Sequence, residues 1–154
     1  MITIGDTLRV EHVHLNAAAD SPEAAVDLVA ASLRSHPAVL DWDKLSLALH
    51  QASPCAAERG CDFGICIPHA RSSAVSSMVM SVGRFEPGLS FKGCLQPIRY
   101  VFCIGLPSAL DADYLRIVGL LARILKAPDA EKKLRQAATA SEFVSVLSGL
   151  EARL

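Results

Sequence analysis

The sequence lacks any concentration of positive charge. It carries 15 Lys and Arg residues against 16 Asp and Glu, which gives a formal net charge of -1 at pH 7, and it contains no run of basic residues. A nucleic-acid-binding protein ordinarily shows a basic patch or stripe, so binding to nucleic acid is not expected. No stretch approaches the roughly 20 consecutive apolar residues of a membrane span, so the chain is not expected to be membrane-embedded.

The first residues also lack the basic and then apolar segment of a signal peptide. A cytoplasmic location is therefore expected. The five cysteines are then expected to be reduced thiols, because disulfides are rare in that compartment. Their odd number also disfavours a fully paired set of disulfides.

Two kinds of ligand site are missing as well. There is no glycine-rich phosphate loop with its lysine, which would hold ATP, and no cluster of carboxylates that would hold magnesium. Neither a cofactor nor a bound metal is therefore expected. A chain of 154 residues is long enough to bury a substantial core, and residues 1–154 are expected to form one domain.

Apolar periodicity predicts a strand and two helices in the first third of the chain. Residues 10–17 alternate between apolar and polar side chains, as a half-buried strand does. Ser21 is a typical N-cap residue, and the proline after it suits the first helical turn. A helix is predicted over 22–35, where it stops before Pro37. Asp41 can cap a second helix.

Three strands and three helices are predicted after a loop at residues 53–63. The three apolar segments that read as strands are 65–68, 78–85 (entering a turn at 86–88) and 98–105. A long helix is predicted after Asp111 or Asp113, another begins at Pro128, and the last opens with the capping-box pattern of Thr139 to Glu142.

The resulting order is strand, two helices, three strands, three helices. Helices on both sides of a small sheet make a three-layer α/β/α architecture. The consecutive strands favour a mixed sheet over a purely parallel one.

A histidine directly follows the first of the three later strands. In "GICIPHARSS", residues 64–73, His69 is expected just beyond the strand end, at the rim of the sheet. An unprotonated imidazole nitrogen is a nucleophile near pH 7. Pro68 restricts the preceding backbone, and Arg71 offers a planar cation suited to oxyanions. These residues are typical of a phosphate-handling site, although a histidine without function at a strand end fits the same residue types.

The same segment resembles the phosphohistidine segment of the fructose/mannitol-type enzyme IIA domains of the bacterial phosphotransferase system, a family that includes nitrogen-regulatory IIA-like proteins. "GICIPHAR" follows the family pattern Gly-Ile-Ala-Ile-Pro-His, with Cys66 at the alanine position. The likeness continues in "PIRYVFCIGLP" (97–107), "YLRIVGLLARIL" (114–125) and "LRQAATASEFVSVL" (134–147). The resemblance implies the three-layer fold, and it implies that His69 accepts a phosphoryl group from a histidine phosphocarrier protein.

The chain departs from the family pattern at two positions. Family members commonly carry a second histidine at the start of the long helix, and Tyr114 stands there in this chain. A phenol can donate to a phosphate oxygen but cannot carry positive charge. Members also carry an Arg-Glu pair after the second helix, which this chain lacks, and Arg59 is a candidate substitute. The predicted site is therefore His69 with Arg71, Tyr114 and Arg59.

The resemblance also implies downstream partners: a IIB component, a sensor kinase or a potassium transporter. Two other hypotheses remain open. Because the site is altered, the chain could be a IIA-like regulator that binds a partner protein without being phosphorylated. A metal site is less favoured, because its candidate ligands lack the paired two-residue gaps of structural zinc sites; these ligands are Cys55, Cys61, Cys66 and His69.

Four further histidines receive no role. They are His12, His14, His36 and His50. The first two share one face of the predicted first strand, and the other two stand at predicted helix ends. Single histidines at such positions are expected to be surface residues without a function.

Overall fold

The computed structural model of the chain describes residues 2–52, 64–90, 97–109 and 112–154, without the side chains of Asp113 and Tyr114. Its helices are α1 (Ile4–Thr7), α2 (Pro22–Ala31), α3 (Trp42–Gln51), α4 (Ala112–Leu125), α5 (Ala130–Gln136) and α6 (Ala140–Ala152). Its strands are β1 (Val13–Ala17), β2 (Gly64–Cys66), β3 (His69–Ser72), β4 (Val79–Leu89) and β5 (Ile98–Pro107). Two short 3₁₀ helices flank these elements, at Val10–His12 and Ser32–Ser35. No helix in these ranges is both long and apolar enough to cross a membrane.

The strands form one mixed sheet. Its order is β1, β4, β5, and then β2 and β3, which both pair with the far side of β5. β1 runs parallel to β4, β4 runs antiparallel to β5, and β2 and β3 run parallel to β5. The prediction of a mixed sheet is confirmed, and one edge of it consists of β2 and β3.

Two cores lie on the two faces of this sheet. Successive side chains of a strand point to opposite faces. In β5, Tyr100, Phe102 and Ile104 pack with residues of α4, α5 and α6. Val101 and Cys103 pack on the other face with residues of α2 and α3. The predicted three-layer α/β/α architecture is therefore confirmed, and burial on both faces explains why β5 is an almost unbroken apolar run.

Capping residues set three of the helix starts. Ser21 Oγ, Asp41 Oδ1 and Thr139 Oγ1 each accept a hydrogen bond from the backbone N–H three residues later, at 3.1, 3.2 and 3.1 Å. These bonds satisfy N–H groups that have no partner inside the helix. The predicted starts of α2, α3 and α6 are confirmed.

Three details of the predicted element order are wrong. The short helix α1 was not predicted, because a single turn is too short to show a periodicity; Thr3 caps it, and Glu151 of α6 accepts a bond from the Ile4 N–H. Four strands follow residue 63 instead of three, because β3 begins directly after Pro68. The segment 86–88, predicted as a turn, lies within β4. The predicted loop at 53–63 lies outside the described residues.

Candidate functional site

His69 lies on the sheet edge formed by β2, a proline and β3. β2 ends at Cys66, which pairs with Val101, and β3 begins at His69, which pairs with Ile104. Between them the carbonyl of Pro68 accepts a bond from the Ile104 N–H at 2.9 Å. An edge strand tolerates proline, which has no N–H to donate. The chain thus stays beside β5, and His69 is held in a strand, not just beyond its end as predicted.

His69 and Arg71 project from the same face of β3. Paired residues on neighbouring strands point to the same side of a sheet. His69 pairs with Ile104 and Arg71 with Leu106, and both partners belong to the core that α4, α5 and α6 cover. Ala70, between them, packs into the other core. Both His69 and Arg71 are exposed, so a paired strand presents an imidazole and a guanidinium together to solvent.

A backbone carbonyl orients the ring of His69. Its Nδ1 lies 2.7 Å from the carbonyl oxygen of Ile67. A carbonyl oxygen can only accept, so Nδ1 carries the hydrogen. In the neutral ring the lone pair is then on Nε2. Nε2 is therefore the nitrogen of His69 that can act as a nucleophile.

Arg71 connects β3 to the segment that leads into α4. Its Nε donates to the carbonyl oxygen of Ser108 at 3.2 Å, and Ser108 directly follows β5. A guanidinium has five N–H donors in one plane, and Nε is the one that the described residues engage. The cation therefore keeps donors for an oxyanion on the face of β3 that carries His69.

The side chains of the other two predicted site residues lie outside the described residues. Tyr114 belongs to the first turn of α4, and only its backbone is described. Arg59 falls within 53–63. α4 does cover the sheet face that carries His69, since Ile117 lies in the same core as Ile104. Both residues stay predictions.

The structure adds two groups to the site that the sequence did not indicate. These are the carbonyl of Ile67, which orients the imidazole, and the carbonyl of Ser108, which binds the guanidinium. Every residue carries a backbone carbonyl, so residue type gives no signal for either one. The path of the chain around Pro68 and the meeting of β3 with the end of β5 select them.

The cysteines give the metal hypothesis no support among the described residues, where no group of three or more His, Cys, Asp or Glu is placed to hold a metal ion. Cys55 and Cys61 lie outside those residues. Cys66 is buried and disulfide-bonded, so the prediction of a reduced thiol is wrong for this residue. Pairing depends on which sulfurs the fold brings together, and spacing along the chain does not decide that. Cys103 is buried and unpaired, and burial raises its pKa to about 12, which leaves it a neutral, unreactive thiol.

A known protein family matches almost the whole length of the chain. Residues 6–149 fit the model of the family described as phosphoenolpyruvate-dependent sugar phosphotransferase system, EIIA 2. The chain belongs to this family. The resemblance drawn from the segment around His69 is thereby confirmed at the level of the family.

Two curated relatives match part of this IIA-type chain. It is 34% identical to the PTS system fructose-specific EIIA component of Haloferax volcanii over 93 residues. This aligned segment covers 60% of each protein. The chain is 30% identical over 87 residues to a nitrogen regulatory protein of Bradyrhizobium diazoefficiens, which covers 56% of this chain and 57% of the relative. The matched segments therefore span less than two thirds of either relative.

Solved IIA structures share the fold. The nitrogen regulatory protein IIA-Ntr of Neisseria meningitidis superposes with a TM-score of 0.77 at 18% identity, over 94% of this chain and 98% of that one. Mannitol IIA in its complex with phosphorylated enzyme IIB, from Escherichia coli, gives a TM-score of 0.68 at 14% identity, over 92% and 99%. At these identities the likeness shows the fold.

Proposed function

We propose that His69 accepts a phosphoryl group on Nε2 from a histidine phosphocarrier protein and passes it to a downstream partner. The observation that carries the proposal is the hydrogen bond from Nδ1 to the Ile67 carbonyl, which leaves the lone pair on Nε2 of an exposed histidine. Membership of the EIIA family supports it. The two curated relatives, a fructose-specific EIIA component and a nitrogen regulatory protein, support a place in the same system.

The proposed step exchanges one phosphorus–nitrogen bond for another. The lone pair of His69 Nε2 attacks the phosphorus of the carrier's phosphohistidine, and the bond from phosphorus to the carrier's ring breaks. The carrier's ring, protonated on its other nitrogen, leaves as neutral imidazole. The ring of His69 gains positive charge as the new bond forms, and the Ile67 carbonyl at Nδ1 stabilises that charge.

Arg71 has a separate task in this proposal. The phosphoryl group brings negative oxygens to the exposed face of β3. A guanidinium binds such oxygens through planar, charge-assisted hydrogen bonds. Arg71 projects from that face two residues after His69, so it is the described side chain that we assign to the phosphoryl oxygens.

The phosphoryl group on His69 then needs an acceptor. The mannitol IIA protein of similar fold is solved in complex with phosphorylated enzyme IIB. We assign an acceptor of the IIB type to this chain on that basis. In this second step a nucleophile of the acceptor forms a new bond to phosphorus as the bond from phosphorus to Nε2 breaks, and His69 returns to the neutral ring with its hydrogen on Nδ1.

The test is phosphorylation in a reconstituted system. The protein is incubated with phosphoenolpyruvate, enzyme I and a phosphocarrier protein, and intact mass is measured. We expect one acid-labile, base-stable phosphoryl group, which His69→Ala abolishes. His50→Ala is the matched control, since His50 is also exposed and lies outside the site; it should keep the label. Label that survives His69→Ala would place the acceptor on another residue.

A regulator that acts by binding alone is the second candidate. Two nitrogen regulatory proteins occur among the relatives and the similar structures. If no label appears with several carriers while the protein remains folded, this candidate replaces the first one. Added IIB should remove the label from His69 if the chain is a phosphoryl carrier, and should leave it in place if the phosphorylated form only regulates.

A further inference from the structure

Three histidines that were predicted to be surface residues meet at the edge of the sheet opposite His69. Ser32 Oγ lies 3.2 Å from His12 Nδ1 and 3.0 Å from His14 Nε2. The rings of His12 and His36 stack with their centroids 5.4 Å apart. His12 is 3% exposed and His36 is 9% exposed, so the prediction of surface positions is wrong for these two. The fold buries them where β1, its preceding 3₁₀ helix and the end of α2 come together.

His36 makes a bond that requires its ring to be neutral. Its Nδ1 accepts a hydrogen bond from the backbone N–H of Ala38 at 3.0 Å. Nδ1 is therefore unprotonated, and the ring hydrogen is on Nε2. A second proton would turn Nδ1 into a donor that faces another donor, so the bond would break. Ala38 is also buried, and a buried N–H that loses its partner is costly.

Ala38 belongs to a short ribbon that holds the end of β3, the strand that carries His69. We use the name ribbon for residues 38–40 paired with residues 74–76. Its contacts are the Ser76 N–H to the Ala38 carbonyl (2.9 Å), the Leu40 N–H to the Ala74 carbonyl (2.7 Å) and an antiparallel bridge between Val39 and Val75. Because β3 ends at Ser72, opening of the ribbon would loosen the strand just after Arg71.

The surroundings of the cluster keep its rings neutral at pH 7. Burial lowers the pKa of His12, His14 and His36 below the usual 6.5. Arg9 lowers the pKa of His36 further, and Glu11 opposes this by raising it. The pKa of His12 is lowered further by His36, Arg9 and His14 and is raised by Glu11.

Two charged residues of the described neighbouring elements are Asp6 on α1 and Arg84 on β4. Asp6 of α1 lines a cavity together with Arg9 and His36. On β4, Arg84 is engaged elsewhere, with the Leu15 carbonyl and with carbonyls at the end of α5. Protonation of the cluster would therefore bring positive charge close to Arg9, with Asp6 and Glu11 as the nearby acids.

We propose that His36 is an acid-sensitive latch: a second proton on its ring breaks the hydrogen bond to Ala38 and opens the ribbon that follows β3, the strand of His69. The opening depends only on the contacts of His36 and the ribbon. Its consequence, a pH-dependent rate of phosphorylation of His69, rests on the proposed function.

Native-state hydrogen exchange of the Ala38, Leu40 and Ser76 amides tests the latch. It is measured from about pH 7.5 to about pH 5, across the range in which histidines titrate, and corrected for intrinsic exchange with amides of β5 as the reference. The opening equilibrium of these amides should rise as the pH falls, by up to about tenfold per pH unit for one proton. Opening that does not change with pH would overturn the proposal.

The variant His36→Asn distinguishes the effect of protonating His36 from the effects of protonating the other histidines of the cluster. An asparagine side-chain oxygen accepts a bond from the N–H two residues later and does not titrate, so the ribbon should stay closed at every pH. His50→Asn, which changes an exposed histidine outside the cluster, should keep the wild-type profile. An unchanged pH dependence in His36→Asn would assign the proton to another residue and reject the latch.

The ring nitrogens of His36 provide a second measurement in the unmodified protein, which decides the matter if His36→Asn does not fold. Their chemical shifts should show an unprotonated Nδ1 at neutral pH that gains its proton over the same pH range in which Ala38 opens. A proton gained over a different range contradicts the proposal. Because neither measurement involves phosphate, failure of phosphorylation at His69 and failure of the latch are distinguished.

Discussion

At the scale of single residues, two exposed histidines of this chain have different chemistry because of the atoms they bind. His69 donates from Nδ1 to the Ile67 carbonyl, so its Nε2 keeps a lone pair toward solvent. His50 places Nε2 at 2.6 Å from Asp27 Oδ1, and a carboxylate there accepts a hydrogen from that nitrogen. Both residues are exposed, and they differ in which ring nitrogen is hydrogen-bonded: Nδ1 in His69 and Nε2 in His50.

Arg71→Gln should slow phosphorylation of His69. The change removes the cation from the face of β3 but keeps a hydrogen-bond donor. A hydrogen bond to a charged group contributes about 1.5–3 kcal/mol, so the rate should fall by roughly 10- to 100-fold. Rapid-quench measurement of phosphohistidine formation gives the rate. Arg99→Gln is the control, since Arg99 pairs with Glu86, away from β3; equal rates in both variants would remove Arg71 from the site.

Tyr114→His should raise the rate or yield of phosphorylation, and Tyr114→Phe should lower it. The resemblance places Tyr114 where family members carry a second histidine. A neutral phenol offers one hydrogen bond of about 1 kcal/mol, whereas a cationic donor at an oxyanion contributes about 1.5–3 kcal/mol. The same rate measurement and the lifetime of the phosphohistidine check this. If both variants match the parent protein, Tyr114 does not contact the phosphoryl group.

At the scale of elements, the approach of α2 to the sheet is set by a glycine. A Cβ added to Gly83 of β4 would lie 2.5 Å from Val29 Cγ2 and 3.0 Å from Phe85 Cε2. Val29 is a buried, β-branched residue of α2 with little rotamer freedom. The lack of a side chain at this position therefore lets α2 and β4 pack closely within the core that α2 and α3 cover.

Gly83→Ala should destabilise the protein by about 1–3 kcal/mol, the usual cost of an overpacked core. Denaturant unfolding, followed by circular dichroism, gives the change in unfolding free energy. Gly149→Ala is the matched control, because a Cβ at Gly149 of α6 meets nothing within 4 Å. Alanine there should stabilise the helix by up to about 1 kcal/mol. A neutral result for Gly83→Ala would mean that α2 can shift outward without loss of packing.

Across the whole molecule, the two edges of the sheet carry histidines in different surroundings. β3 at one edge presents His69, whereas His14 of β1 lies at the other edge, close to the buried rings of His12 and His36. His12 and His14 both lie within hydrogen-bonding distance of Ser32 Oγ, in the 3₁₀ helix that follows α2. Burial lowers the pKa values of His12, His14 and His36 below the usual 6.5, so the folded protein favours their neutral rings. Global stability is therefore linked to pH through this edge.

The unfolding free energy should be highest above about pH 7 and should fall as the pH drops through about 6.5, the unfolded value. The folded pKa values of His12, His14 and His36 are lowered, so the unfolded chain binds protons first. Each histidine changes the unfolding free energy by at most about 1.4 kcal/mol per pH unit. Urea unfolding at several pH values measures the slope. His69→Gln should retain it, and a stability that does not vary between about pH 7.5 and 5.5 contradicts the linkage.

The amino-acid sequence alone predicts α2 to α6, most of the strands and the segment that carries His69, but it misses the single turn of α1. Caps such as Ser21, Asp41 and Thr139 act on the N–H three residues later, and apolar periodicity reflects one face of one element. Both signals are local, so they can be read without knowing which elements meet. The motif around His69 is equally contiguous, which is why it indicated the family.

Contacts between segments that are distant in the chain follow from the tertiary packing and could not be predicted from the sequence. Pairing with β5 makes a strand of the residues after Pro68 and so fixes the face that His69 shares with Arg71. The Ser108 carbonyl reaches Arg71, and His12 reaches His36, only because the fold brings those segments together. Such contacts depend on the packing of whole elements, and residue type at one position does not encode its partner across the sheet.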